Sequence, residues 1–232
     1  MELTTTGISG LDAQIGGFPR GSTILFLSEP CNATYIFAEQ FASGGILKNE
    51  KVVYYSLERP TREIVDGIAG LESIGPEKAK SVECVDGYSA IMEPENKKQA
   101  KSQSRAQDAL DFLSSAKMKG PCRLALESLS SIMMNGSESD AIALLQKIVF
   151  LTRRSGGVSL VMMTKGMHST QFEYTAKHIV DGVLEIGIER RGFGIYPFIM
   201  ITKMRGVIES TKMLLYKETE RGLWLESTRR VF

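Results

Sequence analysis

Histidine is nearly absent from this 232-residue chain, with 2 copies, and cysteine is scarce, with 3. Cys31, Cys84 and Cys122 form an odd set without a C-x-x-C pair. This excludes a disulfide framework, offers no zinc-ligand spacing and fits a reducing intracellular compartment. Net charge is lacking too. With 28 basic residues against 27 acidic, no global field draws the chain to nucleic acid or to an anionic membrane. Apolar runs such as Val158 to Met163 fall far short of the roughly 20 residues a bilayer requires. The opening residues, Met1 to Gly7, carry neither a basic n-region nor an apolar h-region, so no secretory leader is expected. The expected product is a soluble cytoplasmic protein, long enough for one α/β domain with a large core.

A further lack is local. Between Ser22 and Phe41 the pattern reads as an apolar strand (Thr23 to Leu27), a tight loop (Ser28 to Ala33) and an apolar-faced helix from about Thr34. Strand, loop and helix in that order frame a phosphate-binding loop. The residues that give such a loop its chemistry, G-x-x-x-x-G-K-[ST], are missing. Ser28 and Ala33 stand where the first and second glycines belong, Thr34 replaces the lysine, and Tyr35 replaces the magnesium-binding hydroxyl residue. The loop positions Ser28, Glu29, Pro30, Cys31, Asn32, Ala33, Thr34 and Tyr35 are thus a nucleotide-site frame with degenerate contents.

The rest of the chain alternates. Thr6 to Asp12 reads as a turn entering a short helix, and Gly16 to Gly21 as a second turn. Lys51 to Leu57 is a strand, Pro60 to Ser73 a helix, and Ser81 to Asp86 a short strand. Glu93 to Gln103 is a polar, low-complexity stretch whose lysines lack aromatic partners, so it reads as solvated. Ala106 to Met118 carries a helical apolar stripe, Arg123 to Glu127 a buried strand, Asp140 to Arg154 a helix, Val158 to Met163 a strand and Thr170 to His178 a helix. After Asp181 the pattern changes to consecutive strands: Gly182 to Arg190, Tyr196 to Lys203, Lys212 to Lys217 and Leu223 to Glu226. A mostly parallel sheet flanked by helices, with an antiparallel C-terminal extension, is therefore expected. It forms a single domain over 1–232, with an α/β core at 1–181 and the extension at 182–232.

Several motifs together resemble the KaiC-like branch of the RecA superfamily of ring-forming ATPases. Thr6-Gly7-Ile8-Ser9-Gly10-Leu11-Asp12 is similar to its T-G-x-x-G-L-D, and Gly16-Gly17 with Pro19-Arg20-Gly21-Ser22 to its G-G-x-P-x-G-S. Leu124 to Ser130 resembles the Walker B strand, His178 to Val183 the late H-x-x-D-G-V, and Lys203-Met204-Arg205-Gly206 the C-terminal K-x-R-G. The resemblance implies a RecA-like P-loop NTPase fold. It also implies that Glu58 matches the first catalytic glutamate while Arg59 replaces its neighbour, and that Glu127 takes the Walker B acid position. Both acids are expected to be vestigial. Ser28, Cys31 and Ala33 each add a Cβ where the family has glycine, and Thr34 supplies no cation to the phosphates.

The function these departures imply is a catalytically inactive KaiC-like pseudo-ATPase. It would act through protein–protein contacts as a structural or regulatory subunit, in a homo-oligomer or beside an active paralogue. Lys203 and Arg205 would then reach a neighbouring subunit's ATP in trans, as an arginine finger does. No cofactor and no metal are expected. The alternative is a divergent RecA/RadA-like paralogue in recombination or repair that still binds ATP and magnesium. DNA binding would fall to Met133 to Asp140 and Lys165 to Tyr174. The first is acidic, and the second offers Phe172 and Tyr174 for stacking but no cluster of cations. Neither nucleic acid nor a membrane is expected as a partner. His168 and His178 lack ligand spacing with any cysteine and read as surface or structural residues.

Overall fold

The computed structural model describes residues 2–71, 74–92, 105–114, 120–134, 136–206 and 213–225. The polar stretch Glu93 to Gln103 lies outside them, as do Met118, Lys212 and Glu226 at the ends of expected elements. The strands are β1 (Leu3–Thr4), β2 (Phe18–Pro19), β3 (Thr23–Ser28), β4 (Lys51–Ser56), β5 (Glu83–Asp86), β6 (Cys122–Glu127), β7 (Val158–Thr164), β8 (Gly182–Arg191), β9 (Gly194–Met204), β10 (Met213–Thr219) and β11 (Gly222–Leu225). The helices are α1 (Ser9–Ile15), α2 (Asn32–Leu47), α3 (Thr61–Gly70), α4 (Gly75–Ala79), α5 (Gly87–Met92), α6 (Arg105–Ser114), α7 (Leu129–Met133), α8 (Glu138–Ser155) and α9 (Thr170–Ile179).

One 9-stranded sheet runs β11-β10-β9-β8-β3-β7-β6-β4-β5. Its block from β8 to β5 is parallel, and β9, β10 and β11 add on antiparallel. The α/β class with an antiparallel C-terminal part is as the sequence pattern implies. β8 belongs to both parts, pairing parallel with β3 through Gly182–Ile186 and antiparallel with β9 along its length. All six residues of β3 are buried because helices cover both faces of the parallel block. The alternation sends Ile24 and Phe26 into one core layer with α2 and Leu25 and Leu27 into the other with α8.

Local chemistry sets the element ends. Ser137 and Asp140 form a capping box on α8, and Gly156, at φ 70°, closes its other end in the left-handed region. Gly7, at φ 90°, lies so close to α2 that an added Cβ would stand 1.9 Å from the Gln40 carbonyl oxygen. Asp12 holds this turn by accepting from the Thr6 amide at 2.7 Å and from the Thr5 hydroxyl. The T-G-x-x-G-L-D run thus packs the N-terminal turn on α2. Most boundaries differ from the expected ones by one to three residues, and three of them lie near the loop after β3 or at the sheet edge. β3 continues through Ser28, α2 begins at Asn32 rather than near Thr34, and β5 starts at Glu83 rather than Ser81. In the first case the parallel register extends pairing to Ser28, opposite Thr164.

Candidate functional site

Parallel strands end on one edge of the sheet, and α/β proteins use that edge for ligands. Here β3, β4 and β6 deliver Ser28, Ser56 and Glu127 to it, and Ser56 and Glu127 are register partners. Residues just past the strand ends, with the first turns of α2, build a connected polar cluster.

Arg59 is its centre. Its Nε and Nη2 donate to the two oxygens of Glu127 at 3.0 Å each, and Nη1 donates to Glu39 Oε1 at 2.8 Å. Nη2 also lies 3.2 Å from the Tyr54 hydroxyl, which donates to Glu127 Oε2. The guanidinium plane stacks over the Tyr35 ring, 4.4 Å from its centroid. Glu127 is 0% exposed in its side chain and Glu39 is 9%. Burial opposes the charge on Arg59, but Glu127, Tyr54 and Glu39 together raise its pKa above the ordinary arginine value. Glu39 is pushed up, because burial outweighs the pull of Arg59. The Tyr35 phenol rises to about 12 through burial and the charges of Glu58 and Glu127.

Glu58 forms the neighbouring half of the cluster. Its Oε1 accepts from the Ser128 hydroxyl and, at 2.7 Å, from the Ser131 hydroxyl, while Oε2 accepts from the Tyr35 hydroxyl at 3.3 Å. Ser128 also caps α7 by accepting from the Ser131 amide. Glu58 is thus tied into the short segment that follows β6.

The loop residues close upon one another. Ser28 is buried at the end of β3, Glu29 and Pro30 are exposed, and Cys31 is the N-cap of α2 without a side-chain capping bond. Asn32, Ala33, Thr34 and Tyr35 form the first turn of α2. Ala33 is buried in the core. Thr34 donates to Ser28 Oγ at 2.7 Å, and Cys31 Sγ lies 3.5 Å from Thr34 Oγ1.

Lys203 and Arg205 are not brought to this cluster, since β8 separates β9 from β3. Lys203 Nζ donates to the carbonyls of Lys177, His178 and Val180 at 2.8, 3.0 and 2.7 Å, at the C-terminal end of α9. Arg205 donates to Asp181 Oδ1 at 3.1 Å, shares that oxygen with Arg153, and leaves its side chain 53% exposed.

Of the loop considered for base stacking, Tyr174 is 69% exposed but Phe172 is 2% exposed. Phe172 faces the core from the first turn of α9 with the His168 ring edge-on at 5.5 Å, so it is unavailable for stacking. Lys165 is paired with Glu185 at 2.8 Å. His168 Nε2 lies 2.7 Å from the buried Ser130 hydroxyl, and burial holds this imidazole below the usual histidine range. Among the described residues, no group of three or more His, Cys, Asp or Glu is placed to hold a metal ion. No helix there is long and apolar enough to cross a membrane.

The sequence points to Glu58 and Glu127, marks Arg59 only as a replacement and includes Ser128 in a motif without a role, while Glu39, Tyr54 and Ser131 carry no mark of their own. The spacing of Tyr35 and Glu39, one helical turn apart, was an available signal that both face the same neighbour. Nothing in the strand pattern singled out Tyr54 from the other apolar residues of β4.

A family model described as KaiC ATPase matches residues 4–228. The chain is 22% identical over 231 residues to the UPF0273 protein MK0039 of Methanopyrus kandleri, covering 96% of this chain and 91% of that protein. It is similar in fold to the KaiC-like protein PH0186 of Pyrococcus horikoshii, whose crystal structure matches with a TM-score of 0.73 at 21% identity, covering 97% of this chain and 99% of that one.

Proposed function

We propose that this chain, which belongs to the KaiC ATPase family, is a catalytically inactive member of it. It acts through protein–protein contacts as a structural or regulatory subunit, in a homo-oligomer or beside an active paralogue. The observation that carries this reading is the bidentate hold of Arg59 on Glu127. The resemblance gives the family one or two glutamates after the second core strand, with Arg59 at the second position, and the Walker B acid at the position of Glu127. Here both oxygens of Glu127 are committed to Arg59.

The residues present do not suit the magnesium-bound triphosphate that the family implies. Thr34 brings no charge and turns its hydroxyl to Ser28, and Tyr35 sets a ring under Arg59 where a small hydroxyl residue would hold the metal. Losing one buried charge-assisted contact costs about 2–5 kcal/mol, tens- to thousands-fold in affinity. Several such losses take a micromolar site to the millimolar range or weaker. Glu58, the other acid, is held by Ser128, Ser131 and Tyr35 rather than left free to orient a water.

A role in trans falls first to Arg205, whose side chain is half exposed, since Lys203 serves the end of α9 in its own chain. Calorimetry with magnesium-ATP tests the central claim. The expected result is no heat of binding, or a millimolar constant. A micromolar constant, or ATP turnover that disappears in Glu58→Gln, would overturn it. Adding the protein to an active paralogue and comparing turnover for wild type and Arg205→Ala tests the role in trans, and equal turnover would remove it.

A further inference from the structure

We infer that the Arg59 guanidinium is a built-in counter-ion that keeps divalent cations off Glu127 and Glu39, which makes this centre independent of metal. The groups that hydrogen-bond the Arg59 guanidinium, Glu127 at two of its nitrogens, Glu39 at the third and the Tyr54 phenol, present oxygen atoms, the donor type that magnesium, manganese and calcium take. The cation among them is a side chain. Both Glu127 oxygens meet the guanidinium, Oε2 meets the Tyr54 hydroxyl as well, and the side chain has no exposed surface through which an ion enters from another direction.

A hard cation requires a carboxylate oxygen at about 2.0–2.6 Å. Reaching Glu127 therefore requires expelling the guanidinium, and two features oppose this. The guanidinium is clamped by the Tyr35 ring on one side and by Glu39 at its third nitrogen. It is also covalently part of the chain, so it gives up no translational freedom on occupying the site, whereas a free ion does. Removing the guanidinium would leave the buried carboxylates of Glu127 and Glu39 without their shared partner, and buried charges of one sign need a counter-charge. A divalent ion with waters completing its shell would supply it. The inference does not depend on the proposed inactive role, because it concerns a metal ion alone, without nucleotide or partner.

The test is manganese titrated into metal-free protein, with uptake followed by the electron-spin-resonance signal of free manganese and by thermal melting. Wild type should take up none stoichiometrically and show no shift in Tm. Arg59→Ala should take up a stoichiometric equivalent and melt higher with the metal. In Arg59→Ala/Glu127→Gln that affinity should fall about tenfold or more. Uptake by wild type that Glu127→Gln abolishes would overturn the inference, as would a folded Arg59→Ala indifferent to manganese. If Arg59→Ala folds only with manganese present, the inference stands. If it does not fold at all, Arg59→Gln replaces it, and a folded Arg59→Gln indifferent to manganese counts against the inference.

Discussion

Strand β6 carries a buried charge at each end, Arg123 near its start and Glu127 at its finish. At the start, Arg123 donates to Glu50, to the Phe41 carbonyl at 2.9 Å and to Thr4 Oγ1 at 2.9 Å, and lies over the Phe41 ring at 5.0 Å. Glu50 is shared with Arg20 at 2.9 Å. At the finish the ratio is inverted: one guanidinium, Arg59, serves Glu127 and Glu39, and Glu58 stands beside them on neutral hydroxyls. Burial opposes ionisation of Glu50, yet Arg123, Thr4 and Arg20 together hold it below the ordinary glutamate range. For Glu39 burial wins, and its pKa rises. The start of β6 is an ion-paired tie between the N-terminal strands, α2 and the sheet. The finish is an acid-rich centre whose guanidinium is already committed to Glu127 and Glu39.

Breaking the two ends separately should separate their roles. The largest effect is expected from Arg123→Ala, which removes the buried partner of Glu50, leaving it Arg20 and Thr4, and opens a cavity against Phe41. It should cost about 3–5 kcal/mol, read as a lower urea midpoint. Arg59→Ala should cost less, about 2–3 kcal/mol in metal-free buffer, because water re-enters at the sheet edge where Arg59 is partly exposed. Equal costs at the two ends would erase the distinction. Lys203→Ala should cost about 1 kcal/mol, since it uncaps the carbonyls at the end of α9, and a stability equal to wild type would return Lys203 to the role in trans.

The smallest effect is one of pH. A depressed carboxylate contributes stability that is present above the unfolded value, about pH 4.3, and is lost as pH falls through its folded value. Glu50 and Glu185 act this way, the latter held low against burial by Lys165 and Lys177. Glu39, with a raised value, acts oppositely and removes stability as pH rises above about 4.3. Urea midpoints over a pH series should fall on the acid side for wild type and fall less for Glu50→Gln. An unchanged acid slope would mean that the start of β6 does not hold its carboxylate as described.

Much of the scaffold was legible because it follows from period and punctuation. The apolar run from Thr23 to Leu27 marks a strand, and the change after Asp181 marks the antiparallel part. Phe172 shows the limit, since an aromatic in a polar stretch read as exposed yet faces the core from the first turn of α9. Arg123 shows another: the strand from Arg123 to Glu127 reads as buried, but nothing local names the carboxylate that would pair with the arginine, because Glu50 lies 73 positions away.

What the sequence by itself determined is the family, the order of the main strands and helices and the residue types of the loop from Ser28 to Tyr35, since these depend on residue type and local spacing. Only the tertiary structure decided which side chains gather beside that loop. Arg59 meets Glu127, Tyr54 and Glu39 from four separate elements or loops, and a pairing between charges far apart in the chain has no local signature. It exists because parallel strands end level with one another and bring their last residues within reach of one planar cation.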